Sequence, residues 1–367
     1  ENFFQPSTSD QSASLYEHCA RALDASLATG VHGLPLFGGG DWNDGMNRVG
    51  QHGAGESVWM GWFLDTSITA FLPIAARRGD TARVAAWTAH AAELRAALDR
   101  EAWDGDWYRR GWFDDGTPLG SSMNTECRID SIAQSWAVIS GGGDPKRARR
   151  AMAAAGRELV SSETGIAQLF TPAFDQTPLD PGYIKGYPPG IRENGGQYSH
   201  AAMWSVIALA MMGEGSQAGA LLAMLNPINH SLTASELHRY KVEPYVVAAD
   251  IYSRAPNIGR GGWTWYTGAA GWMQRAGIEH ILGLRIHAGF VEVDPCIPGH
   301  WPGFEISLKH GGCLYLISVE NPHGVCRGIA RAEVDGTALP HGPARIMAKP
   351  DARRRIVKII LGVPDAD

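Results

Sequence analysis

"SVWMGWFLDTSITAFLPIAARRG" (57–79) runs straight into "DTARVAAWTAHAAELRAALDREAWD" (80–104), and the contrast between these two segments sets the fold. In the first, Met60, Phe63, Leu64, Ile68, Phe71 and Leu72 recur at helical spacing in a stretch that is apolar nearly all round, and Gly79 stops it. That pattern predicts a buried inner helix. In the second, Val84, Trp87, Ala91, Leu94 and Leu98 share one face, charges fill the other, and Asp80 stands as N-cap. It predicts an outer, half-exposed helix. An earlier helix from about Ser12 carries Leu15, Cys19, Leu23 and Leu27 at every fourth position. Downstream the alternation repeats: apolar near 129–140, amphipathic near 145–159 with Pro145 in its first turn, then 198–212, 216–225 and 267–282. Inner and outer helices in turn predict a mainly α fold, a barrel of paired helices of which about four pairs are visible. The opening "ENFFQPSTSD" reads as a loop inside a longer protein, so the further helices that a closed six-pair barrel needs would precede Glu1.

Beyond Gly283 the period changes to two. "RIHAGFVEVDPCIP" (285–298), "FEISLKHGGCLYLISVENP" (304–322), "ARAEVDGTALP" (330–340) and "RRRIVKIILGV" (353–363) are separated by Gly, Pro and Asn turn signals. The expected organisation is a helical portion over 1–284 that carries the functional loops and a β-rich tail over 285–367.

A net charge of −6, without basic blocks, argues against nucleic acid as a partner. No apolar run approaches the roughly 20 residues of a membrane span, and no secretory pattern opens the chain, so the expected location is cytoplasmic. Cys19, Cys127, Cys296, Cys313 and Cys326 are scattered and never form a CxxC pair, which predicts free thiols and no metal site. Thirteen tryptophans serve equally well for core packing and for stacking on sugar rings.

The helices are interrupted by "GLPLFGGGDWNDGMNRVG" (33–50). As a calcium loop it fails: the motif wants glycine sixth and glutamate twelfth, whereas Gly45 is fifth and His52 twelfth. As a structural turn it would use Asp41 as a cap and the glycines at positive φ. As a catalytic loop it would hold a carboxylate beside Trp42 on a glycine-pinned backbone, partly desolvated and so suited to protonating a leaving group. Asp44 is then the acid and Asp41 its support.

"GLPLFGGGDWNDGMNRVG" resembles the segment of glycoside hydrolase family 94, the inverting phosphorylases of disaccharides and oligosaccharides, that carries the general acid in a D-W-N-D motif. "GYPPGIRENGGQYSHAAMW" (186–204), "YKVEPYVVAADIYS" (240–253) and "GRGGWTWYTGAAGWMQR" (259–275) are similar to further landmarks of that family. In wording they lie nearest to the C-terminal, phosphorylase-like region of cyclic β-1,2-glucan synthases. The resemblance implies an (α/α)6 barrel, here its C-terminal portion, with β elements. It implies phosphorolysis of β-linked gluco-oligosaccharides, or the reverse transfer from glucose 1-phosphate, with no cofactor and inorganic phosphate as co-substrate. The upstream domains would belong to a longer polypeptide attached to the inner membrane, and they would carry an arginine and an aspartate that grip the non-reducing sugar. Asp44 matches the general acid, Trp42 an aromatic at the cleaved sugar, and Glu243 a substrate-contacting glutamate.

Phosphate is already anionic, so phosphorolysis needs one protein acid where inverting hydrolysis needs an acid and a base. "NIGRGGWTWYTGAAGW" (257–272) supplies an anion-site candidate: Gly259, Gly261 and Gly262 for close approach, Arg260 for charge, and Thr267 and Gly268 opening a helix. The resemblance departs at Asn257, where related chains have a histidine. Glu193 and Gln197, with Arg192, Asn194 and His200 beside them, are either caps and core or substrate contacts. Tyr240, Lys241, Glu243 and Tyr245 could line an acceptor subsite, and Asp130 and Gln134 stand at the mouth of an inner helix. An inverting hydrolase and a non-catalytic carbohydrate-binding fragment are the alternative functions.

Overall fold

The computed structural model describes residues 5, 7–348 and 353–363, so most of the opening segment 1–6 lies outside the described residues. Its helices are α1 (Leu15–Ala25), α2 (Val58–Arg77), α3 (Thr81–Glu101), α4 (Ser131–Ile139), α5 (Pro145–Leu159), α6 (Ser199–Met211), α7 (Gly215–Leu225), α8 (Ala234–Tyr240) and α9 (Thr267–Arg275). α2 packs on α4, α4 on α6 and α6 on α9, while α3, α5 and α7 back onto that row from outside. The inner helices α4 and α6 are buried nearly throughout, as their composition requires. Asp80 caps α3 by accepting from Arg83 N at 3.3 Å, and Asp144 caps α5 ahead of Pro145.

Each inner helix gives one tryptophan to a common cluster. Trp204 of α6 lies with its ring centre 5.2 Å from Trp136 of α4, 5.6 Å from Trp272 of α9 and 6.2 Å from Trp59 of α2. Trp42, from the loop ahead of α2, closes on Trp204 at 5.1 Å. The loop is thereby packed onto the inner row by offset and edge-on aromatic contacts.

α2 departs from the expectation of a helix buried on every side. Phe63 is 46% exposed, and an open apolar hollow of about 410 Å³ lies between α1 and α2, lined by Cys19, Leu23, Met60, Phe63 and Phe71 among others. The reason is that α1, which borders this face, stands off from α2 and leaves the hollow open between them. Val58–Arg77 is also long and apolar enough to cross a membrane by length and composition alone, contrary to the expectation that no run is. Here it packs on α3 and α4 and carries the buried Asp65, held by Arg95 Nε at 2.8 Å. The helix expected to run to Leu282 is α9 followed by a π-helical turn, Ala276–Ile281. All five cysteines are free.

The C-terminal strands form two sheets. Leu284–Ile286, Phe290–Val293 and Ala344–Met347 make an antiparallel three-stranded sheet. The second has five strands: Gly303–His310, Cys313–Glu320, Arg354–Leu361, Ile329–Val334 and Thr337–Ala338 in spatial order, with one parallel pairing, Cys313–Glu320 beside Arg354–Leu361. Cys313, Tyr315, Ile317 and Val319 alternate inward. Gly311 and Gly312, at φ 55° and 78°, make the two-residue turn that pairs His310 with Cys313.

One buried ionic knot fixes the glycine-rich loop to the inner row. Arg110 is fully buried, and its Nη1 and Nη2 bind Asp41 Oδ2 and Oδ1 at 2.6 and 2.7 Å. Its Nε lies 3.2 Å from Asp130 Oδ2. Asp41 also accepts from Ser57 Oγ at 2.6 Å. Ser57 and Asp130 are themselves the N-caps of α2 and α4, so one guanidinium joins the loop to two helix starts. Burial pushes the Asp130 carboxyl up to about 6, against the pull of Arg110. Removing the cation strands two carboxylates in the interior. Arg110→Met should lower stability by about 3–5 kcal/mol in urea unfolding, and adding Asp41→Asn and Asp130→Asn should recover much of that loss. An Arg110→Met protein as stable as the parent would contradict this account.

Candidate active site

The loop's backbone is set by its glycines. Gly38 and Gly40 have φ of 58° and 131°, and a Cβ on Gly40 would stand 3.2 Å from Asp44 Cα. Asp41 turns the chain by accepting from Asn43 N at 2.9 Å. With Arg110 and Ser57 also on its oxygens, the Asp41 side chain is closed to solvent and committed to holding the loop. Asp44 follows at the start of a 3₁₀ turn, Asp44–Met46, and is exposed where Trp42 was expected to wall it off. Among the described residues no cation pairs with it.

A second turn, Tyr183–Gly186, is clipped beside it. Arg48 N donates to Pro181 O at 3.2 Å, Tyr183 N donates to Asn47 Oδ1 at 3.1 Å, and Gly45 leaves room for Ile184, whose Cβ would lie 3.0 Å from a Cβ there. Burial and a hydrogen bond to the Asp44 carboxylate push the Tyr183 phenol up. Nothing local in the sequence marks Tyr183, because its partner is far away in the chain.

Asp41, Trp42, Asp44, Glu193, Tyr198 and His200 line a cavity of about 400 Å³. Trp42 stands edge-on to Tyr198 at 5.6 Å and to His200 at 5.3 Å. Glu193 is 8% exposed, 3.3 Å from Arg192 Nε, and Tyr198 beside it has its phenol raised by burial and by that carboxylate. His200 is brought down to about 4 by burial, so its imidazole is neutral near pH 7, and its buried Nε2 has no partner among the described residues. Gly268 faces it: a Cβ there would be 3.7 Å from His200 Nδ1. α6 and α9 begin at Tyr198 and Tyr266 without a side-chain cap, unlike α2 and α4. The Ser199 N–H that opens α6 is already taken by Ala249 O at 2.8 Å, so it is the first N–H groups of α9 and the neutral imidazole that are suited to an oxyanion.

Other candidates from the sequence lie outside this cavity's lining. Gln197 is fully buried, with Oε1 accepting from Ala167 N at 3.0 Å. Tyr240 is 2% exposed and stacks on His230 at 5.2 Å, its phenol raised to about 12 by burial. Lys241 is exposed and ends α8 in the left-handed conformation, φ 61°. The Glu243 carboxyl is held below its usual range by its own backbone and by the Thr264 and Trp265 side chains. Arg260 points to solvent over the Tyr252 ring, 5.9 Å away. Gly261 and Gly262 are small because Val242 Cγ2 and Asp250 Oδ1 would each lie 2.2 Å from a Cβ; the room serves packing and not a ligand. Asn257 is exposed in the same segment, so the departure there does not touch the cavity. Asp130 belongs to the knot, and Gln134 holds both polar groups of the Tyr108 backbone, at 2.8 Å each. Of the anion-site candidates, Gly268 alone is placed against a residue of the cavity lining, His200, and Thr267 precedes it in the first turn of α9.

The model of the glycosyl hydrolase 94 superfamily catalytic domain matches residues 3–283. The chain is 54% identical over 320 residues to the cyclic beta-(1,2)-glucan synthase NdvB of Rhizobium meliloti (strain 1021), covering 87% of this chain and 11% of that protein. It is 35% identical to the 3-O-beta-D-glucopyranosyl-beta-D-glucuronide phosphorylase of Paenibacillus borealis, over 92% of this chain and 44% of that one. A solved sialidase structure shares the fold at a TM-score of 0.55 and 11% identity, over 94% of this chain and 30% of that chain. The chain therefore spans less than half the length of these relatives, and over its helical part it belongs to the glycosyl hydrolase 94 superfamily as catalytic-domain sequence.

Proposed function

We propose that this chain carries the acid-bearing part of an active site for inverting phosphorolysis of β-linked gluco-oligosaccharides, or for the reverse transfer from glucose 1-phosphate. The observation that carries the reading is that one exposed carboxylate, Asp44, shares a cavity with His200, a neutral histidine against which the uncapped start of α9 stands at Gly268. Asp44 gives its proton to the leaving glycosidic oxygen as the C–O bond breaks. A phosphate oxygen, held by His200 and the N–H groups near Thr267 and Gly268, bonds to the anomeric carbon from the opposite face. Trp42 and Glu193 hold the sugar. Hydrolysis would need a second carboxylate to activate water. The other two acids at the cavity are engaged, Asp41 with Arg110 and Glu193 with Arg192.

The β-1,2 linkage is supported by the similarity to a glucan synthase, and phosphate as co-substrate by the similarity to phosphorylases. The row α2, α4, α6 and α9 would form part of an (α/α)6 barrel, with the remaining helix pairs contributed by other segments of a longer polypeptide. Asp44→Asn keeps the shape and removes the proton. It should cut the release of glucose 1-phosphate from β-1,2-gluco-oligosaccharide and phosphate about 10²–10⁴-fold with an unchanged circular dichroism spectrum. Undiminished turnover would remove Asp44 from the role of acid.

A further inference from the structure

The glycine-rich loop fixes the Asp44 backbone, but the carboxylate itself is exposed and without an ion pair among the described residues. The group that meets it comes from a distant part of the chain, the arm over 174–187. Both ends of that arm are tied to the buried Asn194. Its Oδ1 accepts from Phe174 N at 2.8 Å, and its Nδ2 donates to Phe174 O at 2.9 Å and to Tyr187 O at 2.8 Å. Between the ends, the Glu126 carboxylate accepts from the backbone N–H groups of Asp175, Gln176 and Thr177 at 2.9, 2.7 and 3.0 Å, and Lys185 Nζ donates to Thr177 O at 2.8 Å.

At its tip the arm meets the acid turn without slack. Gly182 has φ 119°, and a Cβ there would stand 2.2 Å from Asn47 Oδ1, the atom that accepts from Tyr183 N. Tyr183 is 45% exposed as a whole, yet its hydroxyl donates to the Asp44 carboxylate, and Tyr187 stands edge-on to its ring at 6.3 Å. Burial and that carboxylate push the phenol above its usual range, so it keeps its proton and remains a donor. A donor on a carboxylate favours the charged form, and an acid becomes charged at the moment it gives up its proton.

We infer that Tyr183 is a positioning residue for the acid: held on the clipped arm, its hydroxyl fixes the direction of the Asp44 carboxyl and steadies the charge that forms as the proton passes to the leaving glycosidic oxygen. Tyr183 keeps its own proton throughout. The inference rests on reading Asp44 as the acid. Its test is a double-mutant cycle on the full chain, measuring glucose 1-phosphate release from β-1,2-gluco-oligosaccharide and phosphate. Tyr183→Phe should lower kcat about 10–100-fold, with KM and the circular dichroism spectrum unchanged. In the Asp44→Asn background the same change should cost less than about twofold, because the group it acts through is gone. An unaltered kcat in Tyr183→Phe, or the same proportional loss in both backgrounds, would overturn the inference. A raised KM at constant kcat would overturn it too, assigning the ring to sugar binding. The contact is also read without turnover: the Tyr183 Cζ resonance, identified by its loss in Tyr183→Phe, should move on Asp44→Asn, and an unmoved resonance would contradict the contact. Undiminished turnover in Asp44→Asn, by contrast, defeats the reading of Asp44 as the acid.

Discussion

Arg110 neutralises two carboxylates that the fold has taken out of water, and the position of the acid loop depends on that one guanidinium. Asp41 reaches it from the loop, Asp130 from the start of α4, and Ser57 from the start of α2 through Asp41. A buried ion is tolerable only with its counter-ions and hydrogen bonds in place, so the loop can take one position relative to the two helices. Three residues beyond Asp41, Asp44 inherits that position while its own carboxylate stays at the open cavity. The D-W-N-D motif thus divides its work: one acid is locked so that the other is presented.

The tryptophans settle the question their number raised. Trp59, Trp136, Trp204 and Trp272 tie the inner helices together, and Trp42 docks the loop onto them. Trp263 and Trp265 face solvent beside the cavity. The residue type serves core and surface at once, and which tryptophan does which follows from its element: those within inner helices pack, and those on the loop ahead of α9 do not.

Much of the architecture is legible in the sequence because it is local. α5 spans Pro145–Leu159 as its cap and proline imply, α3 begins behind Asp80, and the strands beyond Gly283 alternate as their period requires. The site is legible only around its loop. Arg110 is 69 residues from Asp41, and no periodicity signals a pairing over that distance. His200 reads as easily as core as it does as a site residue; only the tertiary structure sets it on the cavity lining, beside Gly268. Gly261 and Gly262 look like an anion cradle by composition, yet they make room for Val242 and Asp250. α2 reads as buried all round because its sequence is apolar all round, and composition does not say which neighbours are there to cover it.

The chemistry assigned to the cavity makes phosphate the nucleophile and Asp44 the only protein acid at the breaking bond. Time-resolved NMR of the protein with β-1,2-gluco-oligosaccharide and inorganic phosphate reads both features in one sample. From chains of three or more glucosyl units, the account predicts α-configured glucose 1-phosphate and a chain one unit shorter as the first products, with no free glucose released at a comparable rate. Free glucose as the first product, or the β-anomer of the phosphate ester, would contradict it.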